Sequence, residues 1–433
     1  MATNRARHSI DSDYKEVFGP EGPLARVIPG YAYRPEQSAM AAAVGRALAL
    51  DEALIVEAGT GTGKTFAYLV PALLSGRSVI ISTGTRTLQD QLFRRDVPML
   101  ARALGAPVNM ALLKGRANYL CRHRLDLTMQ QRSLFEPARA TALMHARISR
   151  WAAVTKTGDL AELTDLPEQS PVWPAITSTR ENCLGQECPQ YARCHVVEAR
   201  RAAQAADVVV VNHHLLLADL ALKDEGFADL LPGADAVILD EAHQIPDIAA
   251  QFFGHSWSAR AAQYLLRDTA AEMEAAGARS PAVTELLAAL SDLLDTLRDS
   301  LGGGAGRYEW ERLADAFLET LPALEAALHA LSDELEGLGA GAGTANCGRR
   351  AAALAAQLSQ LANVAPEAGI RWVDANATGL TLQFTPFEIA ERLRQFVEAR
   401  PAAWVFTSAT LAIGEDFGHF AARIGLPDAR TLK

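Results

Sequence analysis

Nine consecutive residues, Glu57-Ala58-Gly59-Thr60-Gly61-Thr62-Gly63-Lys64-Thr65, have the make-up of a phosphate cradle. Glycines let successive backbone N–H groups curl around an anion, and a helix opening at the end of the run adds positive potential. Lys64 is placed to reach β- and γ-phosphates, and the Thr65 hydroxyl to bind Mg²⁺. The pattern G-x-x-x-x-G-K-[ST] is met except at Ala58, where a small residue suffices provided that the backbone needs no strongly positive φ. Further on, Val237-Ile238-Leu239-Asp240-Glu241-Ala242-His243 puts two carboxylates at the end of an apolar run. Beside a phosphate loop, the first of these, Asp240, suits a Mg²⁺ ligand. Glu241 suits the group that orients and deprotonates an attacking water. A D-E pair after a strand is common by itself; its partnership with Lys64 gives it meaning.

The cysteines are the second candidate for chemistry. There are five, and Cys121, Cys183, Cys188 and Cys194 are spread too unevenly for a disulfide framework. Four thiolates suit Zn²⁺ or an iron–sulfur cluster alike. A zinc knuckle has C-x₂₋₄-C pairs on both sides, whereas Cys121 stands alone, 62 residues ahead of Cys183. His123 and His195 adjoin these positions and are read as neighbours, and Cys347 as a free thiol.

These residues need elements to hold them. Val- and Ile-rich runs bounded by turn residues recur at Ala53–Glu57, Ser78–Ser82, Asp207–Asn212, Ala236–Asp240, Leu380–Phe384 and Ala403–Thr407. Lacking strict alternation, they read as strands buried on both faces of a parallel sheet. Helical patterns such as Thr65–Leu74 and Thr87–Leu104 lie between them, so the class is α/β. Two segments interrupt the alternation. Residues 114–200 hold the four cysteines and a helical stretch at Gln130–Ala153. The second, 245–369, is Ala/Leu-rich, acidic and poor in strand signals. Within it Phe317, Leu321, Leu324, Leu328, Leu331, Leu335 and Leu338 form a helix seam, with Pro322 expected in the first turn or as a break. Leu286, Leu290, Leu293, Leu294, Leu297 and Leu301 make a similar stripe. Gly302–Gly306 between the stripes suits an antiparallel helical pair.

The chain has 433 residues, 49% hydrophobic and 21% charged, which suits two or three globular domains and excludes a disordered chain. No apolar run is long enough to span a bilayer, and the first residues lack a secretory h-region; no membrane partner and a cytoplasmic location are expected. The net charge of −10 hides an asymmetry. Residues 77–150 carry thirteen Lys/Arg against four Asp/Glu, while 244–340 carry six against sixteen. Solvated helix faces produce such runs too, but the first stretch is compatible with an anionic polymer.

With Asp240-Glu241-Ala242-His243 in place, the sequence resembles a superfamily-two helicase. Arg34-Pro35-Glu36-Gln37 is similar to the segment whose Gln reads adenine. Thr83-Gly84-Thr85-Arg86-Thr87-Leu88-Gln89-Asp90-Gln91-Leu92 resembles the motif that touches the nucleic-acid backbone. Thr407-Ser408-Ala409-Thr410 resembles the motif coupling hydrolysis to strand movement. Lys114–Cys121, the C-x₄-C-x₅-C cluster and Val209-Val210-Val211-Asn212-His213-His214 resemble the iron–sulfur helicases of the XPD/DinG family, with the DinG/YoaA branch most similar. His213 and His214 are themselves read as structural.

The resemblance implies a RecA-like parallel sheet with helices on both faces, interrupted by an iron–sulfur insertion and an all-helical arch. Its parts map to 1–113 and 201–244 for the first motor domain, 114–200 for the cluster insertion, 245–369 for the arch and 370–433 for the end of the motor domain. It implies ATP, Mg²⁺ and a [4Fe–4S] cluster as cofactors, with the cluster held by Cys121, Cys183, Cys188 and Cys194. Gln37 and Ala58 to Thr65 become the nucleotide contacts. Thr83, Thr85, Arg86, Gln89, Arg116, Tyr119, His243, Ser408 and Thr410 become DNA contacts or coupling residues, with Arg122 and Arg124 nearby.

The implied function is 5′→3′ ATP-dependent DNA unwinding in bacterial repair or replication, by a monomer acting on single-stranded DNA and branched or duplex junctions. Only Leu411–Lys433 follows Thr410, so a second motor domain with its arginines is expected to be absent and hydrolysis by this chain weak. The competing expectation is a non-motor module that binds single-stranded DNA and ATP. A zinc-stapled phosphate-loop enzyme acting on a small molecule would leave the Thr83–Leu92 and Thr407–Thr410 runs unexplained.

Overall fold

The computed structural model describes residues 14–132, 139–167, 170, 172–180, 182–224, 230–302, 304–376, 379–387 and 389–433. Its named strands are β1 (Ala53–Glu57), β2 (Val79–Thr83), β3 (Met110–Leu112), β4 (Val208–Asn212), β5 (Ala236–Asp240), β6 (His255–Ser258), β7 (Gly306–Glu309), β8 (Gly369–Asn376), β9 (Gly379–Pro386), β10 (Ala403–Ser408) and β11 (Arg430–Leu432). The chain divides into two compact units.

The first unit comprises 1–114, 199–253 and 388–433. Its seven strands pair in parallel in the order β11-β1-β10-β5-β2-β4-β3. Successive strand residues feed opposite apolar layers. Leu54, Val56, Ile81, Val210, Ile238 and Val405 face one side, and Ile55, Ile80, Val209, Val237, Leu239 and Phe406 the other. Burial on both faces explains why these strands read as continuous apolar runs. Register then fixes the chemistry: Glu57 pairs with Ser408, and Thr407 with Asp240. The phosphate loop, the Thr407–Thr410 run and the paired acids therefore leave the sheet at the same end, on adjacent strands. That is where open α/β sheets bind ligands.

Five of the six expected strands lie in this sheet. The three-residue edge strands β3 and β11 are too short to stand out by pattern. Thr87–Leu104 is helical but not uniform: Arg86–Gln91 and Val97–Leu104 are α-helical, with a π-helical turn at Leu92–Asp96 between them.

The second unit comprises 115–198 and 254–387. It contains an antiparallel sheet, β6-β9-β8-β7, together with the helices Ala259–Ala275, Pro281–Asp299, Asp315–Leu338 and Ala342–Asn363. Residues 245–369 are therefore not helix-only, since β6 and β7 lie within them. Leu380–Phe384 is not a parallel strand but part of β9. There Leu380, Leu382 and Phe384 are buried while Thr381, Gln383 and Thr385 are half-buried, the period-two pattern of a sheet with one wet face. The helix seam packs as expected, with Phe317, Leu321, Leu324, Leu328, Leu331 and Leu335 buried. Pro322 sits inside the Asp315–Leu338 helix rather than in its first turn, because that helix starts two turns earlier. The Gln130–Ala153 helix appears as Arg122–Arg132 and Arg139–Val154; residues 133–138 lie outside the described residues.

A buried ion triad ties this unit together. Asp268 accepts from Arg124 at 2.8 Å and from Arg350 at 2.9 Å, and all three side chains are buried.

Candidate nucleotide site and cysteine cluster

Glu57 ends β1, and the Ala58 N–H donates to the Ser408 carbonyl at 3.0 Å, extending the β1–β10 pairing by one residue. Ala58 is not among the residues with positive φ, so a methyl is tolerated where the motif has glycine. Gly61 and Gly63 do have left-handed backbones, at φ 83° and 84°. A Cβ on Gly63 would also collide with the Gln37 amide, which donates to the Gly63 carbonyl at 2.9 Å. Thr60 is exposed, and the Thr62 hydroxyl donates to the Gly59 carbonyl at 2.8 Å. Thr65 follows Lys64 in the first turn of the Lys64–Leu74 helix.

Two side chains around this loop have buried polar atoms with unused hydrogen-bonding capacity. Lys64 Nζ is buried, has no hydrogen-bond partner, and lies 3.7 Å from Glu241 Oε1. Gln37 Oε1 is likewise buried without a partner. Buried polar atoms are rarely left unpaired, so both keep capacity for a further hydrogen-bond partner. The phosphate loop and the paired acids, remote in sequence, meet here.

Asp240 Oδ1 accepts the Glu241 N–H at 3.1 Å, and Oδ2 accepts the Tyr68 hydroxyl at 3.0 Å. Burial pushes the Asp240 carboxyl up to about 6; the Tyr68 hydrogen bond opposes this, the Glu241 charge adds to it, and Lys64 opposes it. At neutral pH the carboxylate is ionised and available to a cation. The Glu241 backbone is left-handed, at φ 58°. The Ser408 hydroxyl donates to Glu241 Oε2 at 3.3 Å and lies 2.8 Å from His243 Nδ1. Ser408 thus joins the second and fourth members of the D-E-A-H run, Glu241 and His243, to β10. Thr410, two residues on, is exposed.

Two residues that the sequence did not single out belong to this site. Tyr68 is fully buried against Asp240; inside an apolar helical run it reads as core. Glu57 accepts the N–H groups of Leu411 and Ala412 at 2.6 and 2.7 Å, anchoring the segment after Thr410 to the start of the phosphate loop. No local pattern marks it.

Among the expected DNA contacts, Thr85 and Arg86 are exposed, with Thr85 capping the next helix by accepting the Leu88 N–H at 3.2 Å. Thr83 and Gln89 are completely buried. In the second unit Arg116 is half-buried, but Tyr119 is buried and so unavailable for base stacking. Arg122 donates to the Ala152 carbonyl at 3.3 Å, and Arg124 is committed to Asp268. In each case the residue type was legible and the direction it faces was not. His213 is buried with Nδ1 2.8 Å from the Ser82 hydroxyl, and burial takes its pKa down to about 4, so it is neutral.

Cys121 stands at the start of the Arg122–Arg132 helix, its N–H donating to the Ile176 carbonyl at 2.8 Å. Cys188 and Cys194 follow two successive 3₁₀ turns. Burial, opposed by the Arg124 N–H and helped by the sulfurs of Cys188 and Cys183, raises the Cys121 thiol to about 11; burial also raises Cys188, which in turn feels Cys183 and Cys194. The four thiols therefore share one neighbourhood, all free and all half-buried. Among the described residues, no group of three or more His, Cys, Asp or Glu is drawn together tightly enough to count as a formed metal site. The donor chemistry, four soft thiols within electrostatic reach, fits an iron–sulfur cluster. His123 lies 3.3 Å from Glu272, and His195 packs against Gly158. Cys347 is buried beside Arg350 and Thr269.

Residues 35–149 match the DEAD/DEAH box helicase family. The chain is 40% identical over 430 residues to the ATP-dependent DNA helicase YoaA of Haemophilus influenzae, covering 97% of this chain and 66% of that protein. It is 40% identical over 426 residues to YoaA of Escherichia coli, covering 96% and 65%. A solved structure titled XPD helicase aligns with a TM-score of 0.48 and 14% identity, over 93% of this chain and 62% of that one. The chain spans about two thirds of the length of the YoaA relatives it matches. It thus contains a DEAD/DEAH box helicase domain and is homologous, along almost its whole length, to the YoaA helicases.

Proposed function

We propose that this chain is the nucleotide-binding part of an ATP-dependent DNA helicase that moves 5′→3′ on single-stranded DNA and acts at branched or duplex junctions in repair or replication. The observation that carries the reading is Lys64: a buried ammonium without a hydrogen-bond partner, at the start of a helix and 3.7 Å from Glu241. Lys64 and the loop N–H groups hold the β- and γ-phosphates, and Gln37 offers its free carbonyl oxygen to the adenine amino group. Thr65 and Asp240 are the residues to hold Mg²⁺, which when bound neutralises charge on the phosphate oxygens. Glu241 orients the attacking water and takes its proton; Ser408 and His243 fix that carboxylate and connect it to β10. Thr85 and Arg86, exposed after β2, are the strand contacts supported by their position.

Cys121, Cys183, Cys188 and Cys194 are proposed to hold a [4Fe–4S] cluster, which when bound staples the Cys121 turn to the 183–194 segment. A single anaerobic preparation tests both halves. We expect about four irons per chain, as a Cys₄-bound cluster requires, and binding of a fluorescent ATP analogue with Mg²⁺ that is lost in Lys64→Ala. Stoichiometric zinc without visible absorbance would remove the cluster. Equal analogue binding in both proteins would remove the nucleotide site.

A further inference from the structure

Tyr68 follows Thr65 by three residues on the Lys64–Leu74 helix and so lies on the same helix face. It is completely buried, yet its hydroxyl is not idle. It donates to Asp240 Oδ2 at 3.0 Å. The phenol oxygen therefore touches one of the two residues assigned to magnesium, and its ring stems from the helix face that carries the other, Thr65. A phenylalanine would fill the same volume in this apolar helix without requiring partners for a buried hydroxyl.

A carboxylate swings about its last torsion unless both oxygens are held. In Asp240, Oδ1 is fixed by the Glu241 N–H and Oδ2 by Tyr68. Each oxygen keeps a second lone pair for a cation. We infer that Tyr68 is a positioning residue for magnesium, holding the Asp240 carboxylate so that its remaining lone pairs are available to the cation. This rests on the ATP reading above. Outer partners of metal ligands act in this way by fixing orientation, and their loss commonly lowers metal affinity by about 10- to 100-fold.

The test is equilibrium titration of a fluorescent ATP analogue into wild type and Tyr68→Phe, once with Mg²⁺ and once with EDTA. In Tyr68→Phe we expect the Mg²⁺ concentration needed for half-maximal binding to rise by about tenfold or more. Affinity in EDTA should stay unchanged. Tyr68→Phe combined with Asp240→Asn should bind no worse with Mg²⁺ than Asp240→Asn alone, because the two act through one carboxylate. Equal weakening with and without Mg²⁺, no weakening at all, or simple additivity with Asp240→Asn would overturn the assignment. A wild type that binds no analogue in either condition would instead overturn the ATP reading, and this inference with it. If Tyr68→Phe does not fold, 3-fluorotyrosine placed at position 68 keeps the hydroxyl. Its fluorine resonance should shift when Mg²⁺ is added to the nucleotide-bound protein and not when Mg²⁺ is added alone; no shift in the nucleotide-bound protein would overturn the assignment.

Discussion

Glu241 stands where backbone comfort and chemistry conflict. Among the described residues only Asp51 and Glu241 are non-glycine residues with positive φ. A left-handed side-chain residue costs about 1–2 kcal/mol. The turn is needed because the carboxylate must leave the strand end and reach both Lys64 and the Ser408 hydroxyl. Comparing Glu241→Gly with Glu241→Ala isolates the strain, since both lose the carboxylate and only Gly accepts the backbone. We expect the Gly variant to be the more stable in urea by about 1 kcal/mol, after the entropy of its unfolded chain is counted. Equal stability would mean that the turn is unstrained. At this scale the chemistry was legible because phosphate and metal binding dictate residue type and spacing, as at Lys64, Thr65, Asp240 and Glu241. Tyr68 was not, because a phenol in an apolar helix has the pattern of core. The burial of Gln89 and Tyr119 was not legible either, because type alone does not say which way a side chain faces.

Strand register is what converts separate motifs into one site. Glu57 beside Ser408 and Thr407 beside Asp240 bring three segments together that are up to about 350 residues apart in sequence. The buried apolar runs foretold the parallel strands but could not give their order, which depends on long-range pairing. The β8–β9 hairpin was missed for a different reason: its alternation was present in Gly379–Pro386, but the apolar content outweighed it.

In the second unit the corresponding device is Asp268. It holds Arg124 from the helix after Cys121 and Arg350 from the Ala342–Asn363 helix. Burial opposes ionisation of Asp268, but the two arginines outweigh it and keep its pKa below the ordinary value. Removing its charge strands two buried guanidinium groups, and Asp268→Asn should cost about 3–5 kcal/mol at pH 7. A depressed carboxylate pKa gives stability that is fully present above the unfolded value of about 3.9 and lost as pH falls through the folded one. The gap between wild type and Asp268→Asn should therefore narrow below about pH 4, followed by hydrogen exchange in 254–363. A gap that stays constant with pH would contradict this ion-pair account.

The chain joins an α/β unit with a glycine-rich loop ending at Lys64 to a second unit that carries four half-buried thiols. Among the described residues no helix is long and apolar enough to cross a membrane. The basic stretch read from the sequence includes Arg86, Arg94 and Arg95, which are exposed even where they pair with local acids. Contacts of this kind to a polynucleotide weaken with salt. The proposed function further requires that nucleotide and DNA act on one another through this chain. It is tested most directly by the affinity for labelled single-stranded DNA, measured by anisotropy with and without a non-hydrolysable ATP analogue and Mg²⁺. Wild type should change its DNA affinity by roughly fivefold or more on adding the analogue, within the usual range of coupling between sites, and Lys64→Ala should not change. DNA affinity that ignores the analogue in wild type, or responds equally in Lys64→Ala, would contradict the account.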